Sequence, residues 1–73
     1  MGERLEGSIC GIDRQRRFCW IGSPGRPDTF CHASALPAEL EIDETLIGRR
    51  VTFELGRGPR GRPCAVAVRP AST

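Results

Sequence analysis

A chain of 73 residues, 38% of them hydrophobic and with a formal net charge of +2, is expected to form one small domain. A domain of that size buries only about 60% of the surface its unfolded chain exposes. This excludes a sizeable core combined with a deep catalytic cleft and favours a function carried on the surface. No apolar run approaches the roughly 20 residues a membrane span needs, so no membrane role is expected.

The first segment, Arg4 to Ile12 (RLEGSICGI), alternates, with Leu5, Gly7 and Ile9 on one side, and reads as a strand. Arg17 to Gly22 (RFCWIG) alternates again. Phe18 and Trp20 share one face, Cys19 and Ile21 the other. SPGRPD is turn material, and Thr29 to His32 (TFCH) is a third short strand with Phe30 and His32 outward and Cys31 inward. From His32 to Gly48 the pattern is lost. Ser34 is placed to cap a short helical turn, Pro37 prevents a long helix, and the rest reads as a loop that is acidic on its outside. Arg49 to Leu55 (RRVTFEL) predicts a fourth strand with Val51, Phe53 and Leu55 inward and Thr52 and Glu54 outward. GRGPRGRP is a glycine- and arginine-rich hairpin loop. Cys64 to Val68 (CAVAV) closes the set, with Val66 and Val68 inward and Cys64 and Ala67 outward. The expected core is Leu5, Ile9, Leu36, Val51, Phe53 and Leu55. Five short strands with almost no helix predict an all-β fold, a small barrel or sandwich, and closure into a barrel removes the exposed edges. Residues 1–73 form one domain in this reading, with a core over about 3–69 and a short flexible C-terminal tail.

Charge is unevenly distributed. Residues 33–44 hold Glu39, Glu41, Asp43 and Glu44 and no base, a net −4. Residues 45–73 hold Arg49, Arg50, Arg57, Arg60, Arg62 and Arg69 against Glu54, a net +5. A polyanion would be drawn to one side of such a molecule and repelled from another. Every basic residue other than the single histidine is arginine, a side chain that stacks on rings and grips phosphate with two donors.

Met1 to Gly7 (MGERLEG) shows no apolar segment behind its charges, so a signal peptide is not expected. The expected setting is the reducing cytoplasm, with Cys10, Cys19, Cys31 and Cys64 as free thiols. The four cysteines are scattered, without a C-x-x-C pair, so no metal is expected. Cys19 and Cys31 read as small apolar fillers. No nucleophile with an orienting base is evident, so neither catalytic residues nor a small-molecule substrate is expected.

The ring-bearing strands carry a family likeness. RRFCWI, Arg16 to Ile21, is similar to the Lys-Gly-Phe-Gly-Phe-Ile motif of the cold-shock domain, and TFCHA, Thr29 to Ala33, to its Val-Phe-Val-His-Phe. SAL, IGRRVTFEL and GPRGRPCAVAV resemble the stretches that follow. Over nearly its whole length the chain resembles a cold-shock domain. The resemblance implies a five-stranded antiparallel barrel of the OB type that binds single-stranded RNA or DNA, as an RNA chaperone or as a transcriptional or post-transcriptional regulator. It departs from the family at Gly11 and Ile12, where the first strand would offer Trp-Phe, at Ala33, where a phenylalanine would follow the histidine, and at Arg17 and Cys19, which replace two glycines.

On this reading Phe18, Trp20, Phe30 and His32 form a stacking surface. Arg16, Arg17 and Arg60 supply phosphate contacts, with Arg14, Arg57 and Arg62 as further rim cations. Each stacked base contributes about 1–3 kcal/mol, so the missing rings imply weak to moderate affinity. Strong base specificity is not expected, because every base has a stackable face. No cofactor is implied, and a monomer is expected. The competing expectation is a barrel turned to protein interaction, with Phe18, Trp20 and Phe30 docking a protein instead of bases.

Overall fold

The computed structural model describes residues 4–71. Five strands, β1 (Leu5–Asp13), β2 (Phe18–Gly22), β3 (Thr29–His32), β4 (Arg50–Arg57) and β5 (Pro63–Pro70), close into a barrel in the order β1-β2-β3-β5-β4. Among the described residues the only helical pieces are single 3-10 turns at Ala33–Ala35, Glu44–Leu46 and Pro59–Gly61. Residue 3 and the last two residues of the expected tail lie outside the described residues.

The barrel is of the expected OB type, but it is not antiparallel throughout. β3 and β5 meet in parallel, with Phe30 opposite Cys64. A closed ring with an odd number of strands makes this unavoidable. β1, β2 and β3 alternate in direction, and β4 runs against both β1 and β5. β3 and β5 therefore point the same way when they close the ring.

The faces of β2 and β3 follow the sequence alternation. Cys19, Ile21 and Cys31 are fully buried, while Trp20 and His32 are exposed. The inward thiols face one another, since Cys19 pairs with Cys31. The Cys31 thiol is pushed up, first by its hydrogen bond with Cys19 and then by burial, so it stays protonated and fills space as an apolar group. Gly7 is required by close approach. A Cβ there would stand 2.6 Å from the Gly22 carbonyl oxygen and from Ile21 Cγ2.

β4 and β5 depart from simple alternation. Thr52 pairs with Arg69 and Glu54 with Val66, so Phe53 alone faces the two residues Ala67 and Val68. The extra residue is a bulge, and Ala67 takes a left-handed backbone with φ 51°. Arg4 steadies it by donating to the Ala67 carbonyl at 2.7 Å while pairing with Glu54 at 3.1 Å. The bulge overturns the expectation for β5 at one residue: Val66 turns outward and Ala65 is buried instead, while Val68 is buried and Ala67 exposed as expected. Leu55, expected in the core, shares the face of Ala65 but sits near the hairpin turn and is 45% exposed.

The segment between β3 and β4 also differs from expectation. His32, not Ser34, caps the first 3-10 turn, its Nδ1 accepting from the Ser34 backbone N–H at 3.1 Å. Asp43 caps the second through the Thr45 N–H and hydroxyl, and these bonds hold its carboxyl below the usual range. The loop is acidic outside, yet it lends Leu40 and Leu46 to the core. Leu5 and Leu36 are only partly buried against that core, which centres on Phe53, Ile9, Ile21 and Val51.

Candidate nucleic-acid interface

The antiparallel register of β2 and β3 assembles the rings. Trp20 lies opposite Phe30, and Phe18 lies opposite His32. Ring centroids are 5.4 Å apart for Phe18–Trp20, 5.0 Å for Phe18–Phe30 and 5.5 Å for Trp20–Phe30. Interplanar angles of 73° and 68° give the two Trp20 pairs edge-to-face packing, which ring quadrupoles favour, while Phe18 and Phe30 are tilted at 52°. The cluster is thus a faceted knob, not a flat table. Trp20 is 38% exposed, and Phe18 and Phe30 are half-buried.

β1 flanks this knob without a ring. Gly11 lies opposite Trp20, where a Cβ would come within 3.4 Å of Trp20 Cδ1. Ile12 packs partly against the core. One flank of the indole therefore has no neighbouring side chain from Gly11.

On the other side the rings border a groove of about 410 Å³ beneath the β4–β5 turn. Trp20, Phe30, Gly58, Pro63 and Cys64 line it, and Arg60, Arg62 and Asp28 supply the charge. Arg60 stands on a left-handed backbone, φ 62°. Among the described residues neither Arg60, Arg62 nor Asp28 has an ion-pair partner within 4.0 Å. The Cys10 thiol beside Asp28 is pushed up, by partial burial first and by the Asp28 charge second, and it donates to the Trp20 carbonyl at 3.5 Å.

The sequence-predicted residues are therefore divided. Phe18, Trp20 and Phe30 form one cluster, His32 follows on the same strand, and Arg60 joins Trp20 and Phe30 around the groove. Arg16 is exposed in the β1–β2 turn, its N–H donating to Asp13 Oδ1 at 3.0 Å. Arg17, with φ 61°, accepts from the Ala33 N–H at 2.9 Å and lines a different depression with Arg14, Ala33, Leu36 and Glu41. Arg14 there pairs with Glu44 at 3.7 Å. The acidic loop thus offsets the cations of that end, whereas the arginines at the β4–β5 turn face no such partner among the described residues. His32 uses Nδ1 as an acceptor, which leaves Nε2 to carry the proton and donate outward. Sequence reasoning missed Asp28, Gly58, Pro63 and Cys64 as groove residues. The available signals are the outward reading of Cys64 and the glycine- and arginine-rich loop that holds Gly58 and Pro63.

No family model matches the chain, and no curated protein matches it in a sequence search.

Proposed function

We propose that this barrel is a cold-shock-like module that binds single-stranded RNA or DNA. The carrying observation is the outward cluster of Phe18, Trp20 and Phe30 at 5.0–5.5 Å, bordered by the unpaired guanidinium groups of Arg60 and Arg62. Bases stack on the exposed ring facets, and phosphates follow the arginines. By holding bases apart from their complements, the protein opposes secondary structure, acting as an RNA chaperone or as a regulator of transcription or of RNA after transcription. It works in the cytoplasm as a monomer, breaks no bond and needs no cofactor. His32 adds a donor at the end of the ring row.

The test is salt dependence. A labelled heptamer followed by fluorescence anisotropy should lose about 20- to 50-fold in affinity between 50 and 200 mM salt, for three or four phosphate contacts released. An affinity that stays flat over that range contradicts the reading and favours the ring cluster as an apolar docking surface for a protein.

A further inference from the structure

Three segments converge on the groove: Trp20 of β2, Asp28 with Phe30 at the start of β3, and the turn from Gly58 to Cys64. At about 410 Å³ it lies near the lower end of the size range of small-ligand sites. It suits one nucleotide better than a run of them. Its charges are unusual in arrangement. Asp28 and the pair Arg60 and Arg62 border the same space, yet no acid–base pair among them closes to 4.0 Å. An acceptor and two donors are thereby left facing a gap walled by rings.

Resting on the nucleic-acid reading above, we infer that this groove is a guanine-selective subsite: a base against Trp20 and Phe30 presents its Watson–Crick edge to Asp28 and its O6, N7 or phosphate to Arg60 and Arg62. The choice of base follows from donors. A carboxylate only accepts hydrogen bonds. Guanine alone offers it two adjacent donors, N1–H and N2–H₂. Thymine and uracil offer one N–H between two carbonyls that repel the carboxylate. Cytosine and adenine offer an amino group beside a ring nitrogen that also accepts. Arginine in turn matches guanine O6 and N7 with two donors. In a duplex the Watson–Crick edge is already used, so the groove reads unpaired guanine only.

The backbone of the turn fits a recognition role. Arg60 holds φ 62° although glycines stand at positions 58 and 61. A non-glycine residue there is strained, and such strain collects at ligand-binding positions. Cys10 keeps its proton, donating to the Trp20 carbonyl at 3.5 Å and lying within hydrogen-bonding reach of Asp28, so no thiolate charge adds to that of the carboxylate.

The experiment compares thymidine heptamers carrying one central guanine, hypoxanthine, adenine or cytosine with the all-thymine parent. Dissociation constants come from competition anisotropy, and Trp20 quenching is followed in parallel. The guanine heptamer should bind about 10- to 100-fold more tightly than the all-thymine one. Hypoxanthine, which lacks the N2 amino group, should fall between them. Asp28→Asn should collapse the guanine-to-thymine ratio toward one by weakening guanine binding, while thymine binding holds or rises slightly because a negative charge leaves a polyanion site. Arg60→Gly, which suits the left-handed backbone, should keep the fold and lower the ratio. Equal affinity for all the heptamers with Trp20 quenched by each overturns the guanine subsite and leaves the stacking surface standing. An absence of binding by any heptamer overturns both.

Discussion

Phe53→Ala should remove a large share of the protein's stability. Phe53 is fully buried, the largest such side chain, and it joins β4 to β1 opposite Leu5. Removing a buried phenylalanine costs about 3–5 kcal/mol, the lost transfer energy plus the cavity left behind. A chain of this length has a total stability of about 4–11 kcal/mol at typical values per residue. The change therefore consumes about a quarter of the stability at least and all of it at most. Urea titration followed by circular dichroism reads the shift in midpoint. Leu55→Ala is the internal control. Leu55 is two residues along the same strand and of similar hydrophobicity, but it is 45% exposed, so its loss should cost under about 1 kcal/mol. Equal midpoints for the two variants would contradict the burial assigned to β4.

The second large effect lies on the other face of the sheet. Trp20→Ala and Phe30→Ala should each weaken single-strand binding by about 5- to 150-fold, the equivalent of roughly 1–3 kcal/mol for one stacked base. Both variants should remain folded, because the rings stand outside the barrel and the core beneath them is built from Cys19, Ile21 and Cys31. The effects should not add. The two rings lie 5.5 Å apart and each also touches Phe18, so removing one withdraws support from the others. The double variant should fall short of the product of the single losses. Anisotropy at fixed salt, with a thermal melt of each variant, separates lost binding from lost structure. A Trp20→Ala protein that melts normally and binds as tightly as the parent would remove the indole from the interface.

Much of the fold is legible wherever alternation is unbroken. Cys19, Ile21 and Cys31 go in and Trp20 and His32 go out because a strand side chain has period two, and nothing in β2 or β3 interrupts it. The same rule fails at β5. One extra residue at Ala67 turns Val66 outward, and alanine gives no sign of the left-handed backbone it adopts there. Leu40 and Leu46 escape notice for another reason. They are single apolar residues in an irregular acidic stretch, with no period to mark their side, and only the closed barrel supplies the space they fill. The ring cluster is readable because its members lie on two short adjacent strands. The groove is not, because Asp28, Arg62 and Cys64 meet only when β5 closes beside β3. Arg16, Arg17 and Arg60 look alike as residues, and only the fold places one at the groove and another beside Glu41.

Trp20 is the only tryptophan, and the chain contains no tyrosine. Its intrinsic fluorescence thus reports from the proposed contact surface itself. The most direct measurement titrates that fluorescence with a short oligothymidine at low salt, repeats it with the RNA counterpart and with a duplex, and then raises the salt. Saturable quenching by the single strands, reversed by salt and absent with duplex, is the predicted result, because only unpaired bases can stack on the indole. A Trp20 signal unchanged at high oligonucleotide concentration and low salt would contradict the account and turn the ring cluster toward a protein partner.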